Sequence, residues 1–290
     1  MQRVLNELRD LVRYFLLPFL LALLPRRACT KLVKAISARP WFYETEAQAS
    51  LAGARRFIAI ADEAKWLRDY RLIRFTDDID LFLSLLHSDK WMARHVCLKG
   101  AWPAEKSFVT TTFHWGNGIW ALRSLRNAGV TMTAVIGIFN QASFKNQTFR
   151  YWYARLRQFE TARVIGGGVI SPRNIARQLI LILRAGRSIG VVFDVPAHAG
   201  AKCLSGKLFG RNARFARGLA RIAVAESKPV VLFFSCVDPQ TGMREIWIDQ
   251  PAHFKNDTEL GEHLAQRLQF AIEFRPAAWH QWYAVDGFLD

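Results

Sequence analysis

The sequence predicts an α/β fold, a central and mostly parallel β-sheet flanked by helices, behind an N-terminal hydrophobic membrane-associating helix. Three observations carry that expectation. From Val96 onward, short β-branched and aromatic runs alternate with segments of helical periodicity, the pattern of an α/β sheet. From about residue 45 to 95 the chain reads as helices. Near the start lies an apolar run, Leu11 to Leu24, shorter than the roughly 20 residues a membrane span requires.

Taken in order, LVRYFLLPFLLALL is broken only by Arg13 and Pro18 and is flanked by Arg26, Arg27, Lys31 and Lys34. Such a segment suits an interfacial or shallow re-entrant helix whose basic neighbours meet anionic headgroups, or else a buried core helix. Glu7 and Asp10, with no A-x-A site after the run, argue against a cleaved signal peptide. Ala47 to Ala64 carries helical spacing, and Asp78 to Leu86 reads as a short amphipathic set of turns. Strands are expected over Ser107–Phe113, Thr131–Ile138, Gly190–Phe193 and Pro229–Cys236, with Arg244–Ile248 weaker. A helix begins at Ser171-Pro172, with proline at its first position, and closes at Gly186 after Arg184. No repeat or linker interrupts the chain, so residues 45–290 read as one domain behind a 1–44 membrane-associating segment.

With 290 residues, 51% of them apolar, the chain has an ample core, and disorder is excluded. Cys29, Cys97, Cys203 and Cys236 are scattered without ligand spacing, which indicates neither a zinc site nor a disulfide framework and fits a reducing cytosol. A formal charge of +16 calls for anionic partners. Basic residues beside long apolar runs, with ten tryptophans and no nucleic-acid-reading pattern, favour a lipid surface over nucleic acid.

The candidate chemistry gathers at strand ends. His114 follows Ser107–Phe113 and precedes Trp115-Gly116-Asn117-Gly118, and Asp194 follows Gly190–Phe193. Open α/β sheets bind ligands at that edge. An imidazole there can take a proton from an attacking hydroxyl or amine, or it can be a capping or core histidine. The glycine turn offers N–H groups to a developing oxyanion or a phosphate, or serves only to turn the chain.

The strand and His-x-Gly-Asn turn of Val96 to Leu125, then Ile136-Gly-Ile-Phe-Asn-Gln and the run from Asn146 to Arg157, resemble the late acyltransferases of lipid A biosynthesis, in the lysophospholipid acyltransferase superfamily. The likeness continues through Ala185-Gly-Arg, the strand ending in Asp194, Lys207-Leu-Phe-Gly-Arg, Lys228-Pro-Val-Val-Leu-Phe-Phe and Arg275-Pro-Ala-Ala-Trp-His-Gln-Trp-Tyr, and covers about 230 residues. It implies a peripheral or monotopic enzyme at the cytoplasmic face of a bacterial inner membrane. Such an enzyme moves an acyl group from an acyl-carrier-protein or coenzyme A thioester to an amphipathic acceptor, and needs no cofactor or metal.

In that family a histidine and an acid five positions later form an H-x4-D/E motif, the histidine as base and the acid as its orienting partner. Here His114 matches the base and Ile119 stands where the acid is expected. Three explanations compete: another group at the same edge replaces the carboxylate, Asp194 being nearest by topology; the substrates demand less of the base; or catalysis is lost and the fold is a scaffold for a membrane or partner enzyme. Arg155 and Arg157 resemble the family's arginine-bearing block. Arg211, Arg214, Arg217 and Arg221, at spacings of three and four, are expected on one helix face that binds phosphate or a carrier protein, or is merely solvated, with Phe215, Leu219 and Ile222 on another. His198 is a loop histidine near Asp194, and Trp279 and Trp282 are expected to plug the core or sit at the membrane interface. No nucleotide-binding loop or G-x-S-x-G elbow occurs.

Overall fold

The computed structural model describes residues 2–137, 139–145, 147–171, 175–197 and 202–289, and the backbone alone at 218–220. His198 and Pro172, both singled out in the sequence, lie outside the described residues.

The N-terminal run is helical but not continuous in its winding. Helix α1 (Gln2–Leu11) leads into a π turn (Val12–Leu16) and then α2 (Leu17–Ala22). Pro18 has no N–H to give and crowds the turn behind it, and directly before it the Leu17 N–H reaches five residues back to Val12 O. The π turn aims Arg13 and Tyr14 inward. Arg13 donates to Glu46 (3.1 Å) and lies 3.8 Å from the centre of the Tyr43 ring, so the one charge within the apolar run is matched by a carboxylate and an aromatic face. Glu7 accepts from Thr148 N and Phe149 N at the start of a later helix. Leu5, Leu8, Val12, Leu16, Leu20 and Leu23 remain exposed. Among the described residues no helix is long and apolar enough to cross a membrane.

Helix α3 (Arg26–Ser37) follows, then α4 (Glu44–Ala54) and α5 (Glu63–Leu86). The expected 47–64 helix is thus two pieces: α4 ends at Ala54, and Asp62 starts a new helix by accepting from Lys65 N (2.8 Å). The expected short 78–86 element is the last part of α5, whose residues from Tyr70 to Ser84 are nearly all buried. A helix enclosed on every side carries little amphipathic signal.

After α6 (Asp89–Ala93), the chain builds β1 (Val96–Lys99), β2 (Val109–Thr112), α7 (Ile119–Asn127), β3 (Met132–Val135), α8 (Thr148–Ile165), β4 (Gly166–Ile170), α9 (Ala176–Arg184) and β5 (Ser188–Val192). The rest is a hairpin of β6 (Cys203–Leu208) and β7 (Arg211–Ala216), then α10 (Gly218–Ala225), β8 (Val230–Val237), β9 (Arg244–Ile248) and α11 (Asp257–Phe274). Seven strands form one sheet in the order β1-β9-β8-β2-β5-β3-β4, with every pairing parallel except β8 with β9. The expected α/β fold with a mostly parallel sheet is therefore present.

One expected helix is corrected. Arg211 to Ala216 is strand β7, paired antiparallel with β6, and helix resumes only at Gly218. The arginines at 211, 214, 217 and 221 do not share a helix face. In β7 the burial alternates, with Ala213 and Phe215 inward, because a strand's side chains point to opposite faces in turn.

Helices α5, α7 and α8 cover one face of the sheet, and α9, α10 and α11 the other. The connection after β2 leaves through α7 on the first face, and the one after β5 leads to α10 on the second. Neighbouring strands whose connections part in this way leave a crevice at their carboxyl ends.

Candidate active site

Strands β2 and β5 run side by side, with Val109 opposite Ile189 and Thr112 opposite Val192. The pairing persists one step further, since Phe193 N donates to Thr112 O at 2.8 Å. The same register, carried to the next position, sets His114 beside Asp194. The His114 N–H donates to Asp194 Oδ1 (2.8 Å), and its imidazole Nδ1–H donates to the same oxygen at 3.0 Å. Trp279 Nε1 donates to Asp194 Oδ2 at 2.8 Å, so both carboxylate oxygens are held while the carboxylate is wholly enclosed.

This geometry assigns the tautomer: Nδ1 carries the proton and Nε2 presents its lone pair. The imidazole is 41% exposed and opens to the crevice. Burial opposes its protonated form, but the charge and hydrogen bonds of Asp194 outweigh it and hold His114 above the ordinary 6.5. Ile119 is buried at the first turn of α7. The carboxylate that holds His114 thus comes from the end of the neighbouring strand and not from the turn that follows it. Trp279 and Trp282 are fully buried, a plug for the core, and Trp279 also braces Asp194.

Of the two readings of the turn after His114, the hydrogen bonds of Gly116 and Asn117 fit the one in which it serves to turn the chain. Gly116 N donates to Ala278 O (2.9 Å) and Asn117 N to Ser235 O (2.8 Å), so neither N–H is left for an oxyanion. Asn117 is buried, with Oδ1 accepting from Val237 N and Nδ2 donating to Ile73 O, and it anchors the turn rather than meeting substrate. Gly116 is required by geometry: its φ is +65°, and a Cβ there would lie 2.0 Å from Ser235 O. Gly118 lines the crevice with open space around it.

Two cavities meet at His114. Odd-numbered residues of β2 and β5, Val109, Thr111 and Val191, join Leu179, Ile222, Leu260 and Leu264 around a largely apolar cavity of about 740 Å³. Even-numbered ones, Thr110, Thr112, Gly190 and Val192, line one of about 530 Å³ on the opposite face, walled by Arg74, Asp77, Asp78, Tyr153, Arg157 and His280. Strand alternation divides Val109 and Thr111 from Thr110 and Thr112, while Val191, Val192 and His114, at the strand ends, border both cavities.

In the polar wall, Arg157 pairs with Asp77 (2.7 Å). Burial opposes both charges, but their mutual attraction prevails, keeping Asp77 below the usual carboxylate range and Arg157 protonated. Asp78 accepts from Tyr43 and, at 2.5 Å, from Tyr153, and burial pushes its carboxyl up to about 6. Tyr14, delivered by the π turn, stacks on Tyr153 with ring centres 4.9 Å apart. His280 donates Nε2–H to Gly116 O (2.9 Å), while burial and then the charge of Arg74 drive its pKa down to about 3, so it is neutral. Its Nδ1 is a buried acceptor with no partner among the described residues.

Of the arginines read from the sequence, Arg157 lies in this wall. Arg155 is exposed and outside both cavities, and Arg211 stacks over Phe57 on β7, also outside them. Arg74, Asp77, Asp78, Tyr153 and His280 were not recognised as site residues. Spacings of three and four place Arg74, Asp77 and Asp78 on one side of α5, but Glu63, Lys65, Arg68, Asp69, Arg71 and Asp80 on the same helix mask them. Nothing local announces His280, which arrives through the pairing of Trp115 with Trp279 and the bond from its own N–H to His114 O (2.7 Å).

No protein-family model matches the chain, and no curated protein matches it.

Proposed function

We propose that the protein is a membrane-associated acyltransferase that moves an acyl group from a carrier-protein or coenzyme A thioester to a hydroxyl or amine of an amphipathic acceptor. The observation that carries this is the His114–Asp194 pair at the rim shared by an apolar and a polar cavity. The apolar cavity suits the acyl chain, and the polar one suits the acceptor head or the carrier arm. His114 Nε2 takes the proton as the acceptor attacks the thioester carbonyl. When the tetrahedral adduct collapses, the imidazolium returns that proton to the departing thiolate. Asp194 orients the ring and stabilises its charge.

Against a scaffold without catalysis, which Ile119 in place of an acid suggests, Asp194 beside His114 supports the catalytic reading. The exposed row from Leu5 to Leu23, with Arg27 and Lys31 exposed nearby, suits an anionic bilayer surface. Arg26 and Lys34 are engaged elsewhere, each donating to a carbonyl of the β8–β9 turn (2.8 Å).

Intact-mass analysis of lipids from cells producing the wild type or His114→Ala tests the proposal. The variant is expected to lack one acylated species, with a loss of about 10²–10⁴ in transfer rate. An unchanged lipid profile from folded His114→Ala would overturn it.

A further inference from the structure

The polar cavity contains a cation that no hydrogen bond or ion pair matches among the described residues. Helix α5 sets Arg74, Asp77 and Asp78 on one side, and both acids are answered: Asp77 by Arg157, Asp78 by the hydroxyls of Tyr43 and Tyr153. His114 is answered by Asp194, and Arg150, at the outer end, donates to Gln147 (3.1 Å). Arg74 is half-buried in the wall, and among the described residues neither a hydrogen bond nor an ion pair reaches its guanidinium. The Tyr43 ring lies 5.9 Å away, at the outer limit of a cation–π contact, and the Arg74 charge also reaches Glu46, which Arg13 already pairs.

Arg74 is not idle electrostatically. Its charge disfavours the protonated forms of His114 and His280 and favours ionised Asp77. With Asp77 matched by Arg157, Arg74 and Arg150 stand against the single carboxyl of Asp78, and the wall keeps a positive surplus. A half-desolvated guanidinium without a partner is costly unless a ligand supplies one.

We infer that Arg74 is an oxyanion subsite, holding a phosphate group on the substrate that fills the polar cavity. The planar fork of a guanidinium matches two phosphate oxygens. Because Arg74 and His114 border the same cavity, the phosphate and the reacting group belong to one molecule. The inference rests on the proposed acyl transfer in taking that molecule to be donor or acceptor. The phosphate then sits either on the acceptor headgroup or on the pantetheine arm of the thioester.

Two matched pairs of non-reacting probes separate these sources by equilibrium dialysis with the full chain. The donor pair is an S-alkyl thioether of phosphopantetheine and the same thioether of pantetheine. The acceptor pair is a short-chain lysophosphatidate and the monoacylglycerol of the same chain. In one pair the phosphorylated member is expected to bind wild type about 10- to 100-fold more tightly. Arg74→Ala should erase that preference and leave the unphosphorylated member bound as before, which also shows that the variant is folded, while Arg74→Lys keeps part of it. No preference in either pair, or a preference that survives Arg74→Ala, would overturn the subsite. Thioethers and lipids without a thioester cannot transfer an acyl group, so failure here leaves the His114-dependent reaction standing, and loss of that reaction leaves this binding standing.

Discussion

The two faces of the sheet are built by different chemistry around the same strands. On one, α9, α10 and α11 bring Leu179, Ile222, Leu260 and Leu264 against Val109, Thr111 and Val191. On the other, α5 and α8 bring Arg74, Asp77, Asp78, Tyr153 and Arg157 against Thr110, Thr112 and Val192. A parallel sheet covered by helices is ordinarily apolar on both sides. The asymmetry suits a substrate pair with an apolar tail and a charged end, brought together where the strands stop. It also separates two kinds of fragility: the polar face depends on matched charges, and the apolar face on volume.

The largest effect is expected from unmatching a charge on the polar face. Arg157→Met leaves Asp77 buried without its ion pair, with only the more remote charge of Arg74 in the same wall, and urea unfolding should show a loss of about 3 kcal/mol. The same variant should reverse the direction of the Asp77 shift, from below the ordinary 3.8 to above it. Near-wild-type stability would mean the cavity is wet enough to solvate Asp77, and the contrast between faces would weaken.

On the apolar face the expected consequence is selective rather than global. Leu264→Trp fills part of the 740 Å³ cavity, so turnover of longer acyl chains should fall about tenfold relative to shorter ones. An equal fall for all chain lengths would place the acyl group elsewhere.

A smaller effect concerns pH. Burial raises the Asp78 carboxyl from 3.8 to about 6, so the folded protein keeps a proton that the unfolded chain releases. This contribution to stability is therefore present at low pH and is lost as pH climbs from about 4 to about 6. Asp78→Asn should flatten the melting temperature across that window, and an unchanged slope would assign it to another group.

How much of this was legible in the sequence also divides along structural lines. Arg244–Ile248 coincides with β9, the run ending before His114 contains β2, and the one ending before Asp194 overlaps β5 but misses its first two residues, because buried parallel strands are short, β-branched and bounded by turns. Both members of the pair could thus be named. Their contact could not be, since it depends on β2 and β5 being neighbours, a fact of topology. The 211–221 arginines misled because spacings of three and four are helical only where the backbone is, and β7 carries the first two in a hairpin. Strand β4 opens with three glycines, which leave only Val169 and Ile170 to signal a strand, and it forms by pairing with β3. The polar wall stayed hidden for the reason α5 did: its charges lie on a helix buried nearly all round, and their meaning comes from Tyr43, Tyr153 and Arg157 on other elements.

The central claim is that Asp194, from the neighbouring strand, does for His114 what a carboxylate five residues on would otherwise do. The pH dependence of kcat/KM for Asp194→Asn, followed by thiol release from an acyl-coenzyme A with a lipid acceptor extract, tests it directly. Wild type should show an acid limb above 6.5, because His114 must lose a proton to act and Asp194 holds that proton on. In Asp194→Asn that limb should move to lower pH while the plateau falls by about 10³–10⁴, as loss of an orienting carboxylate does in serine proteases. A plateau and limb both unchanged in folded Asp194→Asn would contradict the claim.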